Sequence, residues 1–446
     1  MKVTFCTRNY ASLSGGHNTW LCRFLPYLHR RGIESRVLCF TLLPDEEPPT
    51  VRSLREAGFS CTTASEEEMK YTEQRVRWIL EQLAEDPPDV FVANAVIPAA
   101  YYAGRWVREA GIPTVGICHI GASHVLYPGL LDEFVCGEAA YQVSTLVCVS
   151  KYLKQAVLER RPKGILVRSI PCGVSIPEDV AQKPNGRLRL VYVGRLAEEA
   201  KRISQVTHAL CRAVREVPGT EALLYGDGPE RPWVEQILRD EGNGLPVHLV
   251  GFVDNDQIQK RLLECHAVVL LSDWEGLGLA LLEGMACGVV PIALRGAPGV
   301  TEFVVDGLTG LLACDRGDGF VAVVRRLRED PALRERLARS ARAKVVAEYS
   351  DEICAARWQE LLQELVNGYA SRKSLRIPER LDLPRVHPTL AWLDQRAPRL
   401  NLRLNGRVRR FVDRGEKRVS LDFWASIKLF CQRTFIAVRG LISRLI

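Results

Sequence analysis

Short β-branched runs alternate with stretches of helical periodicity along residues 1–370, the pattern of parallel α/β units. In the first half the runs predict strands at Val3–Cys6, Ser35–Phe40, Val90–Ala93, Thr114–His119, Thr145–Val149 and Leu166–Ile170. A segment with Pro and Gly, Pro171 to Gly186, then breaks the rhythm. It resumes with Leu188–Val193, Glu221–Tyr225, Val247–Val250, Ala267–Leu271 and Val289–Ala293. Two doubly wound, Rossmann-like α/β domains joined near residues 175–187 are the simplest reading.

Composition changes this picture in one place. The chain of 446 residues carries a net charge of +7, but residues 371–446 hold 18 Lys and Arg against 6 Asp and Glu, and the remainder is net acidic. The C-terminal segment is a separate electrostatic object. With 47% hydrophobic residues the chain can fill two cores, and no apolar run reaches the ~20 residues that span a bilayer. Fourteen cysteines form no Cys-x-x-Cys pair and no zinc spacing, and Met1-Lys-Val-Thr-Phe-Cys6 is strand-like rather than a secretory signal. A cytoplasmic setting with free thiols is expected.

The chemistry sits at the ends of the predicted strands. After Ala267–Leu271 comes Asp273-Trp-Glu-Gly-Leu-Gly278, and a helix predicted over Leu279–Ala286 places Glu275 before its first turn and Glu283 within it. Ligands of open α/β sheets bind in that crevice, and glycines there let backbone N–H groups approach an anionic or hydroxyl-rich ligand. After Leu188–Val193 comes Gly194-Arg195-Leu196, with Lys201 six residues beyond Arg195, fixed positive charge of the kind that suits a diphosphate. After Glu221–Tyr225 comes the tight turn Gly226-Asp227-Gly228-Pro229.

In this order the motifs resemble the family 4 retaining glycosyltransferases, whose two Rossmann-like domains form the GT-B fold. The matching pieces are Ser14-Gly15-Gly16, His119, Val149-Ser150, Ile170–Val174, Val193–Leu196 with Lys201, Gly226–Pro229, Gly251–Val253, Glu275-x7-Glu283 and Asp306–Gly310. They cover about residues 1–367 and are more specific in the second half. The resemblance implies an acceptor-side domain over 1–175, a nucleotide-sugar-binding domain over 187–350 and a central cleft between them. It also implies a helix over 351–370 returning toward the first domain; residues 371–446 fall outside the resemblance, and their charge and periodicity make them a basic amphipathic tail. The implied activity is transfer of a hexosyl group from a nucleotide-diphosphate sugar to an acceptor hydroxyl, retaining and metal-independent, with no cofactor. Arg195 and Lys201 would neutralise the diphosphate. Glu275, with the backbone of Gly276, Leu277 and Gly278, would hold the sugar hydroxyls, and Glu283 the ribose hydroxyls. His119 would face the sugar from the first domain, Gly15 and Gly16 would line the phosphate side, and Asp227 and Gly228 would complete the donor site. Cys172 stands where the family often has Asn, and Gly296–Glu302 is longer than the usual turn, which puts a sugar contact from Glu302 in doubt.

A nicotinamide dehydrogenase would need Gly-x-Gly-x-x-Gly straight after a strand, which Ser12–His17 lacks. A nucleotide-sugar epimerase and a non-catalytic sugar-nucleotide-binding scaffold are the alternatives. In the tail, Phe423, Trp424, Ile427, Phe430, Phe435, Val438, Leu441, Ile442 and Leu445 recur at helical steps, opposite Lys428, Arg433, Arg439 and Arg444. With the upstream cations this predicts an anionic membrane surface as a partner of residues 407–446, packing on the body of the enzyme or on a second subunit being the other use of such a face. No nucleic-acid partner is expected.

Overall fold

The computed structural model describes residues 1–10, 15–180, 186–368 and 372–397. The amphipathic stretch of 407–446 lies outside them.

The first domain runs β1 (Lys2–Arg8), α1 (Gly16–Arg30), β2 (Glu34–Thr41), α2 (Pro49–Glu56), β3 (Ser60–Ser65), α3 (Thr72–Glu85), β4 (Val90–Ala93), α4 (Pro98–Glu109), β5 (Thr114–Cys118), α5 (Tyr127–Phe134), β6 (Thr145–Cys148), α6 (Lys151–Glu159) and β7 (Leu166–Ser169). Its seven parallel strands are ordered β3-β2-β1-β4-β5-β6-β7. The second runs β8 (Leu188–Val193), α7 (Ile203–Glu216), β9 (Thr220–Tyr225), α8 (Arg231–Asp240), β10 (Val247–Gly251), α9 (Asn255–Leu262), β11 (Ala267–Leu270), α10 (Leu279–Ala286), β12 (Val290–Leu294), β13 (Leu311–Ala313), α11 (Asp318–Glu329) and α12 (Pro331–Glu348). Its parallel order is β10-β9-β8-β11-β12-β13.

Both sheets reverse their winding once, between β1 and β4 and between β8 and β11. A crevice opens at such a point because neighbouring loops leave toward opposite faces of the sheet. The central strands are buried throughout, as β4, β5, β6 and β11 show, because helices cover both faces. That is why they are continuous apolar runs in the sequence. The two strands that the pattern missed, β3 and β13, are edge strands. β3 reads Ser-Cys-Thr-Thr-Ala-Ser and presents no apolar run, and β13, Leu-Leu-Ala, is too short to stand out as one.

α13 (Asp351–Gly368) packs on α1 of the first domain. Trp358, 1% exposed, lies 5.6 Å from the Phe24 ring and 6.2 Å from that of Trp20. Residues 372–397, grouped by the sequence reading with the tail, instead lie across the first domain. The Lys373 N–H donates to the Ala110 carbonyl (2.9 Å), Arg77 donates to the carbonyls of Pro378 and Glu379, Leu390 is buried against Gly129 of α5, and the Tyr102 hydroxyl donates to the buried Asp394 (3.0 Å). The segment ends at the start of α3, where the Thr72 N–H donates to the Gln395 carbonyl at 2.7 Å. Contacts made by isolated residues of an extended segment leave no periodicity to read.

Candidate active site

The β8–α7 and β11–α10 loops meet at the second domain's switch point. Positive φ at Ala200 (60°) and Arg202 (50°) brackets Lys201, and the Asp273 N–H donates to the Ala200 carbonyl at 2.8 Å. Asp273 is clamped by Arg202 and Arg316, each at 2.5 Å. Burial works against its charge, but these two hydrogen-bonding guanidinium groups hold its carboxyl below the usual range. The neighbouring turn is laced in as well: the Gly194 N–H donates to the Tyr225 carbonyl (3.0 Å) and the Leu196 N–H to that of Asp227 (2.9 Å). A conformation this strained and this tied down holds Lys201 in one place.

The Lys201 ammonium contacts Glu275 Oε1 at 2.6 Å, while the other carboxylate oxygen has no partner among the described residues. Glu283, in α10, shows the same arrangement with a different cation. Its Oε1 lies 2.5 Å from Arg23 Nη1, which reaches across from α1 of the first domain, and its second oxygen is likewise without a partner among the described residues. Each acid of the pair is anchored through one oxygen and open at the other. Between them, the N–H groups of Gly276, Leu277 and Gly278 have no acceptor among the described residues, and they lead into the N-terminus of α10. The Leu277 side chain is buried in the core, so only its backbone faces a ligand. Gly278, at φ 79°, makes the left-handed turn into the helix. Arg195 is exposed beside this group and makes no ion pair or hydrogen bond through its guanidinium among the described residues. Asp227 is engaged within its own turn: its carboxylate accepts from the Gly228 N–H (2.7 Å) and pairs with Arg231 (3.0 Å).

The first domain closes the other side. Gly15 and Gly16 open α1, and a Cβ on Gly16 would lie 3.4 Å from a Leu279 methyl of α10. His119, just after β5, has both ring nitrogens engaged, Nε2 with Asn94 Oδ1 at 3.1 Å and Nδ1 with Cys172 Sγ at 3.8 Å. Burial, then the nearby His17, push its pKa well below the usual value, and burial lowers that of His17 to about 4. Both rings are neutral at pH 7 and lie 5.7 Å apart. His119 therefore offers a fixed polar edge rather than a free base. Its carbonyl abuts Gly276, where a Cβ would sit 2.1 Å from that oxygen, and Gly121 sits under the ring of Trp274. Glu302 caps α6 of the first domain, accepting from the Lys151 N–H at 2.8 Å, so its carboxylate is already used.

The sequence reading missed Arg23, Trp274 and the Asp273 clamp. Arg23 carried a signal: it lies seven residues after Gly16 on one helix, two turns along the same face. As a whole the arrangement combines two half-anchored carboxylates, the three cations Arg23, Arg195 and Lys201, and unpaired N–H groups within one cleft. That set can bind a ligand with hydroxyls at both ends and an anion between them. Among the described residues no group of three His, Cys, Asp or Glu is placed to hold a metal ion, and no helix is long and apolar enough to cross a membrane.

Comparison with known proteins bears on the family and the fold. Residues 14–177 match the model "Glycosyltransferase Family 4", and residues 177–344 match "Glycosyl transferases group 1". A glycogen synthase of Mycobacterium tuberculosis is 31% identical over 208 residues, 46% of this chain and 47% of that protein, so the match spans about half the relative's length. The lipopolysaccharide core biosynthesis glycosyltransferase LpsD of Rhizobium meliloti is 28% identical over 80% of this chain and 97% of its own. Among solved structures, Anabaena HepE in complex with UDP and glucose superposes with a TM-score of 0.65 at 18% identity, over 82% of this chain and all of that one, a likeness of fold. Nothing in these comparisons supports an epimerase.

Proposed function

The chain belongs to family 4 of the glycosyltransferases, and from that premise we propose that it moves a sugar from a nucleotide-diphosphate sugar to an acceptor hydroxyl, with retention of anomeric configuration and without a metal ion. The observation that carries the reading is the pair of half-anchored acids, Glu275 and Glu283, flanking unpaired backbone N–H groups at the start of α10.

In this reading Glu283 takes the ribose hydroxyls and Glu275 the hydroxyls of the donor sugar. Arg195, the N–H groups of residues 276–278 and a Lys201 shared with Glu275 receive the diphosphate. The bond that breaks joins the anomeric carbon to the diphosphate oxygen, so positive charge develops on the sugar and negative charge on the leaving group. Fixed cations and N–H dipoles stabilise that departing charge, which is where electrostatic catalysis has most effect. The acceptor oxygen bonds to the anomeric carbon from the same face, and its proton passes to the departing phosphate. His119, neutral and held at both nitrogens, lines the sugar from the other domain. The acceptor is an unidentified hydroxyl compound presented on the first-domain side. The setting is the cytoplasm, with residues 407–446 at an anionic membrane face.

A panel of nucleotide sugars, scored by thermal shift, donor hydrolysis and transfer, tests the proposal. A bound donor stabilises the fold by mass action. Stabilisation by at least one donor, accompanied by hydrolysis or transfer, is expected. Stabilisation without either reaction would leave a sugar-nucleotide-binding scaffold.

A further inference from the structure

Arg23 belongs to none of the motifs, yet it makes the one charged side-chain contact to Glu283 among the described residues. Helices α1 and α10 both start in the cleft and approach each other at two points. Gly16 meets Leu279 at their first residues, and Arg23 meets Glu283 farther along. The second arm of the guanidinium reaches the Gly173 carbonyl at 3.4 Å, in the connection between the domains. Burial works against the Arg23 charge, but Glu283 and then Asp351, at the start of α13, more than offset it, so the group stays a cation.

We propose that Arg23 is a positioning residue for the donor's ribose: it fixes Glu283 through Oε1 so that Oε2 is presented to the ribose hydroxyls, which makes ribose recognition depend on contact between the two domains. The inference rests on the nucleotide-sugar reading above. A carboxylate on a helix has several rotamers, and one oriented in advance loses less freedom when the ligand arrives. A fork with one arm on the acid and the other on the backbone of the interdomain connection supplies that orientation, and a lysine cannot make both contacts from a planar group.

A purely structural staple between the domains would weaken every ligand alike, whereas a device that aims Glu283 weakens recognition of the ribose alone. The test is calorimetric binding of ADP, GDP and UDP against their 2′-deoxy forms by the full chain and by Arg23→Met, Arg23→Lys and Glu283→Gln. The wild type is expected to prefer a ribose form by about tenfold or more, the scale of one hydrogen bond to a charged group. Arg23→Met and Glu283→Gln should both bring that ratio close to one, Arg23→Lys should keep part of it, and the double variant should be no worse than either single one. If Arg23→Met fails to fold, the Arg23→Lys ratio decides. A ratio left at the wild-type value in whichever Arg23 variant folds overturns the proposal and leaves the transferase reading standing. A wild type that binds none of the six nucleotides, or that binds deoxy forms equally well, overturns the ribose assignment of Glu283 and this proposal with it.

Discussion

Replacing Gly276 by Ala isolates the contact between the two domains. Gly276 is absent from the residues with positive φ, so alanine can adopt its backbone conformation. The obstacle is steric alone: the new Cβ would lie 2.1 Å from the His119 carbonyl oxygen, where real Cβ atoms essentially never come within 3.0 Å. The loop cannot simply retreat. Its Glu275 N–H is bound to the Pro298 carbonyl at 3.0 Å, and Gly299 packs directly behind the Glu275 carbonyl. Relief therefore requires the domains to part by about 1 Å along this line, and a misplacement of that size is enough to lower a rate on the order of 10²-fold. The expected result is a fall in kcat/KM for transfer of that order, with melting temperature nearly unchanged because no core residue is touched. Nucleotide binding by the second domain should suffer much less. Gly278→Ala is the contrasting control: at φ 79° and with Val300 in the way, it should destabilise the second domain itself. Wild-type kcat/KM in Gly276→Ala would refute the view that contact at this point is needed for the chemistry.

Glu283→Gln should raise the donor's Kd while Glu275→Gln mainly lowers kcat, each by on the order of 1.5–3 kcal/mol, since each loses a charged hydrogen-bond partner; identical kinetics for both variants and the wild type would remove the site. Transfer should persist in a chelator, and a loss reversed by magnesium or manganese would contradict metal independence. Proton NMR of the first-formed product should show the donor's anomeric configuration; the inverted anomer would refute retention. His17 and His119 titrate below their unfolded value, so as pH falls below about 6.5 the unfolded chain takes up protons first and stability is lost, for His17 between pH 6.5 and about 4. At pH 5.5 that amounts to about 1.4 kcal/mol for His17, and a folded His17→Phe variant should show a shallower acid-side fall in melting temperature; an unchanged slope would contradict the assignment. Full-length protein should sediment with anionic vesicles at low salt and protein cut after Ala397 should not; equal binding would show that the tail is not the membrane contact. The cut falls there because residues 372–397 pack on the first domain.

Why some of this could be read from the sequence and some could not follows from how far apart the interacting parts lie. Central strands announce themselves because both of their faces are covered, so burial is written into every residue of β4 or β11. β3 lies at the sheet's edge and carries four hydroxyl residues among its six, and nothing in that pattern separates it from a loop. Glu275 and Glu283 stand out for the opposite reason, as charges in a run that is otherwise apolar. Their local setting is enough to place them at a helix start, and so at a switch point. Their anchors differ in legibility. Lys201 lies in a loop that belongs to the same sheet as Glu275, and its motif could be read without knowing how the domains meet. Arg23 is 260 positions from Glu283 and is one of many arginines on amphipathic helices. Its meaning exists only once the fold brings α1 within reach of α10. The motif alone assigns Gly16 to the phosphate side of the cleft, and a seven-residue step along α1 from it reaches Arg23 on the same face. The order of inference therefore matters: glycines and acids locate the crevice, helical periodicity then carries that location along each flanking helix, and the residue so reached is one that no motif contains.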